Sequence, residues 1–301
     1  MTLLGFSAAM MAQPQLPGDP SAARFVYDDI DRLVRTLERI TAGAPPAATI
    51  ASEYFARGTS GLKALISRKG VTADALATDI IRQPPAYAIM ATLPRRLARH
   101  EPAIRRSLTR LKELHPAAVF PPVYYMASDP SFGGGLADPA GVLIAFGPRG
   151  YEEILDRIPH LVAHELAHVQ QAMTQGVEQY RSIYGPSGSL LAIAIREGSA
   201  DFIAQLTSGG HVNPRAHVYG LKHEAALWQQ FQKDMNGAAT GEWMFVTPAN
   251  GSWPQDLGYF VGYRIAESYY LRAADKARAL RDILSVTDYR TFLKDSAYNP
   301  Q

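Results

Sequence analysis

Hydrophobic positions along this chain change period twice. In "GDPSAARFVYDDIDRLVRTLERITAG", Val26, Ile30, Leu33, Val34, Leu37 and Ile40 recur at steps of three and four, the stripe of an amphipathic helix. Ser21 is placed to cap its start and Gly43 to end it. Helical patterns continue through about 48–115, punctuated by Gly61, Gly70 and the proline pairs at 45–46 and 84–85. The period then shortens. "PPVYYMA" (121–127) and "GVLIAFG" (141–147) are β-branched and aromatic runs that predict two strands, joined by "SDPSFGGGLADPA", which reads as a glycine-rich turn. After residue 151 the helical period returns almost to the C-terminus. The fold class expected is mostly α with a small β-sheet (α+β). Residues 1–20 are expected as a leader or disordered terminus, 21–116 as a helical N-terminal region and 117–301 as the catalytic region, packed with 21–116 as one unit.

Composition narrows the function. At 301 residues and 47% hydrophobic content the chain can bury a large core. Its net charge of +2 sets up no global field for nucleic acid. The densest basic run, residues 93–112, reads as the solvated face of one or two helices. There is no cysteine, which excludes disulfides, thiolate ligands, a cysteine nucleophile and a lipid anchor on cysteine. Any metal must be held by histidine and carboxylate. The apolar run "LLGFSAAMMA" (3–12) is about half of a membrane span. It has the length of a signal-peptide core with small residues at Ser7 and Ala9, although no Lys or Arg precedes it; the expected location is periplasmic or secreted, with the cytoplasm as the alternative.

Against that background one stretch carries chemistry. "HLVAHELAHVQQ" (160–171) contains H-E-x-x-H as His164, Glu165 and His168. On a helix, two histidines four apart stand about 6 Å apart along the axis and about 40° apart around it, so both imidazoles reach one ion. The glutamate is turned about 100° from the first histidine, so its carboxylate reaches a water beside the ion without ligating it. His160 cannot share an ion with His168, because eight helical residues separate their Cα atoms by about 12 Å. It marks the first turn, next to Pro159.

The third ligand must come from elsewhere. The metzincin continuation requires glycine and histidine where Gln171 and Thr174 stand, and the peptide-deformylase arrangement requires a cysteine. A later helix offers a carboxylate instead. In "LLAIAIREGSADFIAQL" (190–206), Leu190, Ala194, Glu197, Asp201 and Ala204 share one face. Two carboxylates in an apolar stripe cost several kcal/mol unless partnered. Glu197 is therefore expected as third ligand, with Asp201 accepting the outer N–H of His164 or His168 and fixing its tautomer. Glu178 is the rival ligand.

These residues carry a resemblance. His164-Glu165-x-x-His168 followed by Glu197-x-x-x-Asp201 resembles the gluzincin metallopeptidases. With "GYFVGYRIAESYY" (258–270) and the preceding strands, the chain from about 117 onward is similar to a bacterial family of predicted zinc-dependent proteases related to gliding-motility lipoproteins. The resemblance implies a zincin-like core around the H-E-x-x-H helix. Lipoprotein relatives carry an anchoring cysteine; this chain has none, so membrane attachment does not carry over.

The expected function is zinc-dependent hydrolysis of a peptide or protein substrate. Zinc on His164, His168 and Glu197 would polarise the scissile carbonyl, and Glu165 would act as general base. The strand 141–147 is expected to run along the cleft as an edge for an extended substrate. Tyr263, with Tyr259 second, is expected to stabilise the oxyanion, brought in by a Gly258/Gly262 strip that lets two helices approach. A rival from another class is a scaffold protein whose metal is structural, with His223 as fourth ligand. A zinc hydrolase of a non-peptide amide or ester is the third alternative.

Overall fold

The computed structural model describes residues 16–147, 151–185, 188–238, 240–249, 251 and 253–301. The signal-like run at 3–12 lies outside the described residues. Seven α-helices precede the main strands: α1 (Asp28–Thr41), α2 (Pro46–Thr49), α3 (Ser60–Lys69), α4 (Ala73–Arg82), α5 (Pro84–Ala88), α6 (Leu93–Ala98) and α7 (Glu101–Leu114). The proline pairs that punctuate the sequence open α2 and α5, where a missing N–H costs nothing. Thr59 and Thr72 cap α3 and α4 through their hydroxyls.

The first helix starts later than its stripe suggests. Ser21 does not cap it; its own N–H donates to Asp19. Phe25–Val26 instead forms a short strand, β1, and the helix begins at Asp28 with three aspartates in its first turn, at the positive end of the helix dipole.

The sheet has four strands in the order β1-β2-β4-β3, with β2 at Val123–Ala127, β3 at Gly134–Asp138 and β4 at Gly141–Phe146. Strands β1, β2 and β4 are parallel; β3 returns antiparallel to β4. This corrects two expectations. The 141–147 segment is not an edge: β4 is central, and every residue in it is buried. A continuous apolar run without alternation is the signature of a strand covered on both faces. The edge is β3, inside the segment read as a turn. Only Pro139 and Ala140 separate it from β4, and Gly141 closes this hairpin at φ 147°, where a Cβ would stand 2.3 Å from the Pro122 carbonyl oxygen.

Beyond the sheet the chain is helical: α8 (Tyr151–Asp156), α9 (Ile158–Gln175), α10 (Val177–Ser182), α11 (Leu190–Ser208), α12 (Pro214–Asp234), α13 (Leu257–Arg272), α14 (Lys276–Leu284) and α15 (Tyr289–Ser296). Helix α9 lies against β3 and β4 and also against α11, and α13 packs along α11. Helix α7 touches both α9 and α11, so the N-terminal helices share the core that positions the histidine helix. Among the described residues no helix is long and apolar enough to cross a membrane.

The α11–α13 crossing is unusually close. A Cβ on Gly198 would stand 2.1 Å from the Tyr263 amide nitrogen, and one on Gly262 1.7 Å from the Ala194 carbonyl oxygen. Gly262 thus forms the expected flat strip, with Gly198 as its partner. Gly258 faces Met244 and Trp243 instead.

Candidate metal centre

Helix α9 opens with Pro159 in its first turn and runs buried from Val162 to Gln171. It carries His164 and His168 to the middle of the core, while Ser189 caps α11, which brings Glu197 opposite. The two Nε2 atoms lie 3.0 Å apart, and Glu197 Oε2 lies 3.3 Å from His164 Nε2 and 3.0 Å from His168 Nε2. The imidazole planes are nearly perpendicular, at 88°. Tetrahedral zinc with ligands at about 2.0–2.1 Å spaces its donors by roughly 3.3 Å, so these three donors already sit close to a coordination triangle.

Neighbours hold two of the three candidate ligands, His168 and Glu197, in the state a metal requires. The Gln171 amide donates to the Arg196 carbonyl at 3.1 Å, which turns its Oε1 toward His168 Nδ1 at 2.8 Å. That places the proton of His168 on Nδ1 and leaves Nε2 free to ligate. The Tyr184 hydroxyl donates to Glu197 Oε1 at 2.6 Å, leaving Oε2 for the imidazoles. Burial alone would raise the Glu197 carboxyl, but His168 and His164 outweigh it and hold it well below the usual range. His164 titrates above its ordinary value: burial opposes its charge, and the carboxylates of Glu197 and Glu165 override that. Among the described residues His164 Nδ1 is buried without a partner.

Glu165 is 6% exposed, and burial pushes its carboxyl up. Its side chain is tucked under the edge strand: a Cβ on Gly135 would meet Glu165 Oε1 at 2.4 Å. A cleft of about 710 Å³ opens beside it, lined by His164, Glu165, Gly133, Gly134 and Tyr259 among others.

The other expected residues divide. Asp201 does not reach His164 or His168. Its Oδ2 accepts from His217 Nε2 at 2.6 Å and from His211 Nδ1 at 3.3 Å, and its Oδ1 accepts the Val212 N–H at 3.0 Å. Burial would raise its carboxyl, yet those hydrogen bonds hold it far below the usual range. One helical turn past Glu197 carries Asp201 beyond the H-E-x-x-H pair to the 209–213 loop and the start of α12. Gln171 occupies the place expected of it.

Asp201, His211 and His217 also bring metal-ligating atoms together. However, the two rings are stacked at 3.5 Å and only 16° apart. Lone pairs in parallel planes do not converge on one ion about 2.0 Å away. This group acts as a buried hydrogen-bonded clamp that pins the loop to α11.

Tyr263 also misses the trio. Its hydroxyl donates to Glu267 at 3.2 Å, and its ring packs edge-on against His211 and His217. The glycine crossing fixes which turn of α13 faces the His164–His168–Glu197 trio, and that turn carries Tyr259. The Tyr259 ring stacks on His164 at 5.8 Å, and burial with the Glu197 charge pushes its phenol up. Glu178 is exposed on α10, and the exposed His223 packs on Tyr219. Gln171 was legible at helical spacing from His168; Tyr184, in a loop without period, carried no signal.

A family comparison bears on this arrangement. The model of a family described as "Predicted Zn-dependent protease (DUF2268)" matches residues 124–287, more than half of the chain. The chain belongs to this family. As a DUF2268 member it is a predicted zinc-dependent protease, and the matched segment runs from β2 through α14, including all three convergent donors. No curated protein matches the chain, and no solved structure does.

Proposed function

We propose that this family member is a zinc-dependent peptide hydrolase of the gluzincin type, with His164, His168 and Glu197 as ligands and Glu165 as general base. The observation that carries the reading is the convergence of those three donors beside a buried glutamate, at the wall of a cleft bordered by a strand edge. A zinc ion bound there would supply Lewis acidity to a substrate carbonyl and make water a stronger acid. The Glu165 carboxyl, raised by burial, is suited to take a proton from the attacking water and pass it to the leaving amine. Tyr259, rather than Tyr263, is the donor for the developing oxyanion, since its ring lies on His164.

Strand β3 takes the role first expected of 141–147. Its outer edge has no partner among the described residues, so an extended substrate can add to it with its backbone passing Glu165. In this reading residues 117–301 form a zincin-like catalytic region, and 21–116 buttress it through α7. The scaffold alternative gains nothing from His223, which stands apart from the trio. The test pairs metal analysis with peptide cleavage by wild type and Glu165→Gln. One zinc per chain and loss of cleavage in the variant are expected. Absence of stoichiometric zinc, or undiminished cleavage by the variant, refutes the assignment.

A further inference from the structure

A second cavity, of about 600 Å³, opens where the far end of β3 meets α9 and α10. Ala137 and Asp138 of β3 form one wall; Val169, Ala172 and Met173 of α9 with Val177 of α10 form a second, and Leu16 and Val119 close the apolar lining. Its only carboxylate is already neutralised, because Asp138 lies 3.2 Å from the Arg68 guanidinium and 3.7 Å from that of Arg181. Tyr180 lines this cavity and also stands edge-on to His168, with ring centroids 6.0 Å apart. The pocket and the metal centre therefore share a wall.

Strand geometry sets the distance between them. Glu165 lies under Gly135, and Asp138 is three residues further along β3. At about 3.4 Å per residue that is roughly 10 Å. An extended chain paired with β3, its scissile carbonyl at the trio, thus carries a side chain one to three residues away over the pocket mouth.

We infer that this pocket binds a large aliphatic or aromatic side chain of the substrate and is the chief determinant of where the chain is cut. The inference rests on the proposed hydrolase reading. Apolar pockets with few polar groups select by size and shape, and one missing methylene in such a site costs roughly 10–200-fold. Ala172, one turn beyond His168, is the position from which the pocket can be filled without touching a ligand.

The test is cleavage-site profiling of a peptide library by mass spectrometry, using the full chain loaded with zinc. Wild type should show one position within three residues of the cut enriched in Leu, Ile, Met or Phe. Replacing that residue by Gly in a synthetic peptide should lower kcat/KM at least tenfold. Ala172→Phe, and independently Val177→Trp should the first not fold, should abolish the preference for large side chains while peptides with Gly or Ala there are still cut. Cleavage without side-chain preference, or a profile unchanged in both variants, overturns the pocket assignment and leaves the hydrolase reading standing. No cleavage of any peptide overturns both.

Discussion

Placing a single methyl group at Gly198 should damage both stability and the metal centre. In Gly198→Ala the new Cβ would lie 2.1 Å from the Tyr263 nitrogen and 2.2 Å from the Gly262 carbonyl carbon. Ordinary contact between such atoms is about 3.5 Å, so α11 and α13 must separate locally by roughly 1.4 Å. Both sides of the contact are backbone, and no rotamer change relieves it. Overpacking of this kind costs about 1–3 kcal/mol, and the rigid contact puts this case near 3. At roughly 2–4 °C per kcal/mol the melting temperature should fall by about 6–12 °C. Glu197 is the neighbouring residue and Tyr259 rides on α13, so the same shift moves a ligand and the proposed oxyanion donor. Displacements near 1 Å can cost about 10²-fold in rate. Calorimetry and zinc titration against a competing chelator read the two effects. Gly43→Ala is the control: its φ of 98° is strained for alanine but open space surrounds it, so it should lose stability and keep zinc affinity. A Gly198→Ala protein melting within about 2 °C of wild type, with unaltered zinc affinity, would refute the argument.

Three further outcomes are expected. Glu197→Ala should lose tight zinc binding, while Gln171→Leu, which frees the His168 tautomer, should weaken it by about 10–100-fold in the same titration; retention by the Glu197 variant would refute Glu197 as the third ligand. Tyr259→Phe should lower kcat at least tenfold with KM little changed, while Tyr263→Phe leaves kcat near wild type; the reverse pattern would restore the first assignment. Burial raises the Asp256 carboxyl to about 6, so the folded chain keeps a proton that the unfolded chain has lost above about 3.8. Its stabilisation is full below about 3.8 and disappears as pH rises through about 6. Urea melts of metal-free protein between pH 4 and 7.5 should show Asp256→Asn removing that part of the slope; an unchanged slope would place the titration elsewhere.

Local chemistry made the first half of the site legible. The spacing of His164, Glu165 and His168 is itself a statement about one helix, and two carboxylates in the apolar stripe of residues 190–206 demanded partners. The identity of those partners was not local. Asp201 is satisfied by His211, in a loop whose path no periodicity reveals, and by His217, which that loop delivers on the first turn of α12. Glycine hid the edge strand, because the triplet at 133–135 suppresses every propensity signal for β structure although Gly135 is what admits Glu165 beneath it. Depth in the apolar run put Tyr263 ahead of Tyr259, but the structure lays the Tyr259 ring on His164 and turns the Tyr263 hydroxyl to Glu267.

The two-residue strand β1 matters to anyone wishing to produce the family-matched region alone. The family match begins on β2, which invites cutting the gene near codon 117. Such a fragment would lack Phe25 and Val26, the strand paired with the outer edge of β2, together with Tyr54, whose hydroxyl serves both the N–H and the carbonyl of Ala127. A bare parallel edge with stranded polar groups is a template for self-association. The shortened polypeptide should therefore collect in inclusion bodies, and the family-matched half becomes available in soluble form only with its helical N-terminal partner attached.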